Sequence, residues 1–339
     1  MTSRSAGRPA PAAADDAAAA RTRGLHRFAV FTALWTFTLL FMGGMVTSRE
    51  AGLAVADWPL SYGYVINPPG WTDSPHIRVE HSHRLLGWEL GILMIVLAFL
   101  IQRIDPRPWM RRLGWAALAL VCVQGILGGY FRVVLLQHNM AIVHGCLGQA
   151  FFCVMIALAL FTSPGWRAGG AACPEAAATR LRRLSLWAVG AIYLQVVVGA
   201  LIRHSRVGHE IAYVLPHIVW GLVAAVLGLR AMAGAFDGTG GPPALTRPAA
   251  LLGGGLLLQV LLGLGAYMAN AAGAREFVRP PSQFWTTTAH QAAGALVLAA
   301  AVVLHLRARQ LRTVPAGAGE GLRPVAGPAV GEHPAGAPS

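Results

Sequence analysis

Eight apolar runs, near residues 27–48, 83–104, 112–133, 141–163, 184–203, 211–233, 247–269 and 285–306, restrict this chain more than any other feature of its sequence. Each holds about 20 residues, enough to cross ~30 Å of hydrocarbon as an α-helix. Lipid leaves no backbone group unpaired, and the runs are too continuous for barrel strands, which alternate apolar and polar residues. The chain therefore reads as an all-α membrane protein of eight transmembrane helices. A composition 55% hydrophobic and 12% charged fits no soluble protein of 339 residues. The first run is too long for a signal-peptide core and no small-x-small cleavage site follows it, so it is expected to remain as a span.

Charge orients the helices. The formal net charge is +13, and all 27 basic residues are arginines. They sit between the apolar runs, which points to the positive-inside bias rather than to a nucleic-acid surface; no nucleic-acid partner is expected. The N-terminal arm, the loops after the second, fourth and sixth helices, and the tail carry nineteen arginines together; the opposite side carries seven. Both termini are thus expected in the cytoplasm, with the chain a multi-pass protein of the cell membrane. Cys122, Cys146 and Cys153 fall in spans and Cys173 in a cytoplasmic loop. No CxxC pair occurs, so neither a structural disulfide nor a zinc site is expected.

One short pattern recurs four times, each copy near the start of an even-numbered helix: His83-x3-Gly87, His144-x3-Gly148, His217-x3-Gly221 and His290-x3-Gly294. Residues four apart share a helix face, so each imidazole has a bare backbone one turn deeper, a gap that a flat ligand would need. Ionisable groups inside a membrane are costly and usually functional. The odd helices carry a partner pattern: Gln124-x3-Gly128, Gln195-x3-Gly199 and Gln259-x3-Gly263, with Leu39-x3-Gly43 in the first. Close packing through small residues accounts for these glycines, and the glutamines are able to hydrogen-bond across helices. Together the patterns predict an internal duplication giving two pseudo-symmetric four-helix bundles. The expected divisions are a disordered cytoplasmic arm (1–25), an N-terminal bundle (26–165), a cytoplasmic linker (166–183), a C-terminal bundle (184–310) and a disordered tail (311–339).

Two histidines per bundle suggest His83 with His144 and His217 with His290. Facing imidazoles on either side of a porphyrin iron make a six-coordinate haem. A bare copper or zinc ion among four histidines, and histidines serving only as caps or packing, are the rival readings. Glu80 stands one turn before His83, whereas Ala141, Val214 and Thr287 occupy the matching places before the other three. That inequality suggests one reactive pocket and one that stores or passes electrons; a plain N-terminal dipole role is the alternative for Glu80. Arg84, Arg132, Arg203 and Arg206 are candidates to hold haem propionates. Glu89 reads as a proton-path residue or a buried hydrogen-bonded acid, while His81, His138, His204 and His209 are expected to be solvated and His305 to reach water. The long loop 49–80, with two tryptophans and several prolines, is expected to be ordered and to cap a site.

Glu80-His-Ser-His83-Arg84, Ala141-Ile-Val-His144-Gly145, the Thr47-Ser48…Gly52-Leu53…Asp57-Trp58-Pro59 stretch and the Gln-x3-Gly helices resemble the haem A synthase family, over roughly residues 27–308. The resemblance implies an eight-helix duplicated membrane oxidoreductase that acts on a methyl group, oxidising the C8 methyl of haem O to the formyl of haem A for cytochrome oxidase. It implies functional roles for Glu80, His83, His144, His217 and His290. The C-terminal pair would hold haem b, and the N-terminal pair with its glutamate would handle haem O as substrate. Haem O synthase and an electron-transfer partner are the implied associates beside the bilayer, and a homo-oligomer is compatible. Some bacterial members have a cysteine pair in the first outer loop; residues 49–80 have none. A di-haem, quinone-linked electron carrier without substrate chemistry is the alternative function, and a duplicated transporter a third.

Overall fold

The computed structural model describes residues 11–204, 211–237, 239–273 and 281–314. The helices are α1 (Pro11–Ser48), α2 (Pro75–Ile104), α3 (Pro108–Ile126), α4 (Met140–Thr162), the short α5 (Pro164–Arg167), α6 (Glu175–His204), α7 (Ile211–Phe236), α8 (Pro243–Gly273) and α9 (Pro281–Gln310). A π-helical segment, Leu127–Val134, continues α3. All except α5 are long and apolar enough to cross a membrane, so the described residues hold the eight expected spans. Proline begins α2, α3 and α5, where its missing N–H would have had no helical partner anyway.

The ends differ from the sequence expectation. The arm read as disordered over 1–25 is helical from Pro11 onward. Its Ala12–Ala14 and Ala17–Ala20 runs are low in complexity, yet alanine is the strongest helix former. The expected linker is shorter, because α6 starts at Glu175. The start of the expected disordered tail forms a strand: β2 (Arg312–Val314) pairs in parallel with β1 (Ala172–Pro174), Cys173 opposite Thr313.

The helices close into two rings with the same order of neighbours. In one, α1 packs on α2, α2 on α3, α3 on α4 and α4 on α1; in the other the order is α6, α7, α8, α9 and back to α6. Each ring has its own apolar centre. Leu90, Met94, Leu97, Met155 and Leu158 fill the first; Leu181, Ala188, Ala231, Leu252 and Leu304 fill the second. A seam of α1 and α4 against α9 joins them through Phe152, Ala295 and Ala299. Lipid tails are as apolar as leucine, so burial of apolar surface drives no association within the bilayer. Small residues that let backbones approach do that work, and alanine dominates the second ring and the seam. Leu251, Leu257 and Leu261 point outward from α8.

At the end where α2 stops, Asp105 is fully buried and takes hydrogen bonds from Arg107 Nε and Nη2, at 2.9 and 2.7 Å, and from Arg167 Nη2 at 3.2 Å. Arg307 and Gln310 of α9 donate to the Gly165 and Trp166 carbonyls, each at 2.9 Å. This end ties the rings together; the other end carries the histidines.

Candidate functional site

Every repeated histidine lies on a glycine of the preceding helix. A Cβ on Gly43, Gly128, Gly199 or Gly263 would come 3.2, 2.6, 3.0 and 2.9 Å from Cε1 of His83, His144, His217 and His290 respectively. The glycines of the odd helices are therefore seats for imidazoles, and the helix pairs α1–α2, α3–α4, α6–α7 and α8–α9 repeat one arrangement. In the α3–α4 pair, His144 Nδ1 lies 3.1 Å from the Gln124 carbonyl. That carbonyl fixes the tautomer with hydrogen on Nδ1 and leaves the Nε2 lone pair free for a metal. Nδ1 of His83, His217 and His290 is buried without a hydrogen-bond partner.

The glycines one turn deeper than His217 and His290 serve a different purpose from the expected gap. A Cβ at Gly221 or Gly294 would lie 2.9 or 3.1 Å from the side-chain nitrogen of Gln195 or Gln259. Those amides also meet the imidazoles: Gln195 Nε2 is 2.9 Å from the His217 carbonyl and 3.2 Å from its Nε2, and Gln259 Nε2 is 3.4 Å from His290 Nε2. Opposite Leu39 no amide exists, and the space over Gly87 is open to 4 Å.

Helices α7 and α9 stand diagonally in their ring, and the His217 and His290 rings face each other with centroids 6.2 Å apart and planes at 74°. An iron about 2 Å from each of two ring nitrogens would put the centroids about 6 Å apart, close to this spacing. His83 and His144, also on diagonal helices, are within electrostatic reach of each other but make no such ring contact among the described residues. No three His, Cys, Asp or Glu side chains gather as a bare ion would require among the described residues, so the four-histidine ion site is not formed.

The loop from Arg49 to Ser74 is clamped over the first ring. Glu80, 4% exposed, accepts a hydrogen bond from the Val55 amide at 2.9 Å and one from Arg84 Nη2 at 2.7 Å. Arg84 also donates to the carbonyls of Val55 at 2.7 Å, Leu60 at 2.8 Å and Asp57. Arg84, expected to hold a propionate, is thus committed to the loop: the guanidinium fork finds three carbonyls converging within its reach. Burial alone would raise the Asp57 carboxyl, but the Gly63 and Tyr62 amides and the Arg84 charge hold it below the usual carboxylate range. The Trp58 indole packs on Gly129 in the π-helical segment, where a side chain would collide with it. His81 is buried, not solvated. Its ring nitrogens lie 2.9 Å from Ser61 Oγ and 2.9 Å from the Ile66 carbonyl, with Trp71 edge-on. The folded loop covers a position that helix periodicity alone leaves at the surface.

Arg132, on the π-helical segment and within electrostatic reach of Glu80, keeps Nη1 buried and unpaired. Arg203 donates to the Thr47 carbonyl at 2.9 Å, crossing from α6 to α1. Arg206 and His209 lie outside the described residues. Arg49, which sequence reasoning passed over, sets its guanidinium 4.5 Å over the Phe284 ring. Glu89 is exposed on the outside of its ring, which rules out the buried acid. His138 is exposed, while His305 Nδ1 lies 3.0 Å from Ser185 Oγ. No disulfide joins the four cysteines, all of which lie among the described residues.

Fold and site together define a multi-span membrane protein with paired imidazoles at one end of each of two helix rings. The chain belongs to the COX15-CtaA family of cytochrome oxidase assembly proteins, whose pattern matches residues 26–218. The match takes in Glu80, His83, His144 and His217 and stops short of His290. Three similar proteins bear the name heme A synthase. That of Shouchella clausii is 34% identical over 110 residues, 31% of this chain and 35% of its own. That of Nitrosospira multiformis is 31% identical over 153 residues, 42% of this chain and 40% of its own. That of Chelativorans is 27% identical over 158 residues, 44% of this chain and 42% of its own. This chain spans less than half the length of these curated relatives. The resemblance drawn from the sequence motifs is borne out at the level of the family.

Proposed function

We propose that this protein is a haem A synthase, converting the C8 methyl of haem O into a formyl group to give haem A for cytochrome oxidase. One observation carries the reading: two rings built on the same histidine seats differ in that, among the described residues, only the first has a buried carboxylate beside its histidines, Glu80, under a clamped loop. A duplication that equips one copy alone with an acid suits one reacting site and one relay. The matching neighbour order of the rings supports that duplication.

Haem O would sit in the first ring, its iron toward His83 and His144 and its farnesyl tail along lipid-facing helices. A haem b between the Nε2 atoms of His217 and His290 would supply one-electron transfer. At each of two oxidations the methyl carbon would lose two electrons and a proton and take a hydroxyl from water, whose other proton is also released. This gives first the hydroxymethyl and then a gem-diol that loses one water to leave the aldehyde. The electrons would leave one at a time through the haem of the second ring to the electron-transfer partner. Each Glu80 oxygen accepts one hydrogen bond and keeps a lone pair, so the carboxylate is placed to take a proton from the reacting substituent or to face positive charge developing at that carbon. Arg84 fixes its orientation. Arg132, with its unpaired Nη1, and Arg203 are assigned to the propionates. The arginine distribution supports cytoplasmic termini in the cell membrane, with the histidine end at the outer face. Haem O synthase is the natural supplier.

The test is co-expression with a haem O producer, followed by extraction and chromatography of the haems. Haem A should appear with the wild type. Glu80→Gln should keep the haem spectrum of the purified protein yet stop aldehyde formation or trap the hydroxymethyl stage. An electron carrier would form no haem A whatever stands at position 80, and a transporter would show no haem band.

A further inference from the structure

Gln124 is 7% exposed, and neither its amide nitrogen nor its amide oxygen has a hydrogen-bond partner. Its counterparts are used differently. In the second ring Gln195 and Gln259 place their amides on the imidazoles, 3.2 Å from His217 Nε2 and 3.4 Å from His290 Nε2. In the first ring Leu39 takes the matching position on α1 and offers no amide. Gln124 gives His144 only its backbone carbonyl, at 3.1 Å. The first ring therefore holds an amide with both polar atoms unpaired beside its histidines, and Gln149 Oε1 on α4 is unpaired as well. The Gln124 amide lies one turn deeper than His144, where a Cβ on Gly148 would be 3.9 Å from Gln124 Nε2 and 3.5 Å from Leu40 Cδ2 of α1.

Burying a donor and an acceptor without partners is destabilising, and such groups call for an explanation. An amide offers N–H and C=O side by side. A carboxylate only accepts and a methyl does neither, but a hydroxyl donates one hydrogen and accepts through its lone pairs. We propose that Gln124 is a substrate-binding residue that takes the hydroxyl of the half-oxidised substituent, the hydroxymethyl stage of haem O. Nε2–H donates to the hydroxyl oxygen and Oε1 accepts its hydrogen. This rests on reading the first ring as the substrate ring. The amide gains nothing from the starting methyl and two hydrogen bonds from the alcohol, so it retains the intermediate until the second oxidation. Sites built to hydrogen-bond a hydroxyl discriminate strongly against partners that lack it.

Gln124→Leu tests this, and leucine at the matching position 39 is already accommodated in its helix pair. Cells co-producing haem O should release hydroxymethyl haem at a ratio to haem A raised roughly five- to ten-fold, the effect of losing one or two hydrogen bonds. The haem-free variant should unfold at a higher temperature than the wild type, by about 2 °C or more, because an unpaired buried amide has been removed. The spectrum of the haem in the second ring should not change. Gln124→Met, unbranched and of similar length, should repeat all three results. An unchanged product ratio, or a lower unfolding temperature of the haem-free protein with both variants, overturns the assignment. A wild type that forms no haem A ends the substrate reading and this inference together; a normal wild type with unaltered variants ends this inference alone.

Discussion

The imidazole of His144 rests on the bare backbone of Gly128, so closely that a methyl group there would lie 2.6 Å from Cε1. The same relation joins three further pairs, and its tightness varies among them. A membrane protein that relies on close backbone approach can place a bulky ring beside a neighbouring helix only where that helix has no side chain.

Alanine at these glycines should therefore displace the histidines in an order set by the clearances. Gly128→Ala should be the most damaging. Gly263→Ala and Gly199→Ala, at 2.9 and 3.0 Å, should come next, and Gly43→Ala, at 3.2 Å, should be the mildest. Overpacking of this kind costs about 1–3 kcal/mol. Haem bound per protein, read from the visible spectrum after purification, should fall in that order. The Gly199 and Gly263 variants should lose the haem of the second ring and leave that of the first.

Arg84 should govern the loop rather than the haem. Its guanidinium contacts three loop carbonyls and Glu80, so Arg84→Lys keeps the charge and loses the fork. Hydrogen bonds to a charged group contribute about 1.5–3 kcal/mol each. Proteolysis within 49–74 should become faster by at least about ten-fold in Arg84→Lys, and faster again in Arg84→Ala. Equal cleavage rates in all three proteins would remove the clamp.

Acid should loosen the opposite end. Burial by itself would raise the Asp105 carboxyl, but hydrogen bonds from Arg107 and the charges of Arg107 and Arg167 hold it below its ordinary 3.8. A carboxyl whose folded value is the lower contributes its full stabilisation above the unfolded value. That contribution fades as the pH falls through the folded one. Asp105→Asn should destabilise the protein by about 1–3 kcal/mol near pH 7. Unfolding in detergent should then depend less on pH below 3.8 than it does in the wild type.

Much of the architecture was legible because lipid admits so few solutions. Eight apolar runs of spanning length left little choice but eight helices, and the alternation of His-x3-Gly with Gln-x3-Gly placed the candidate residues at one end of them. The errors arose where a residue's surroundings come from elsewhere in the chain. His81 looked solvated by helix periodicity, yet the loop from Arg49 covers it. The partners of Arg84 could not be read from its own helix either, since the carbonyls that converge on it belong to the loop. Alanine-rich composition concealed the helix from Pro11.

The sequence by itself determined the spans, the four imidazoles and the lone acid beside one of them, since each depends on residue type and helical period along a single segment. Only the tertiary structure decided which glycine receives which ring. It also brought the His217 ring centroid to 6.2 Å from that of His290 and left both amide atoms of Gln124 without a partner while the amide nitrogens of its counterparts found theirs. Those relations depend on the offset and rotation of neighbouring helices. These are set by side chains packing across the whole ring, and no one-dimensional pattern records them.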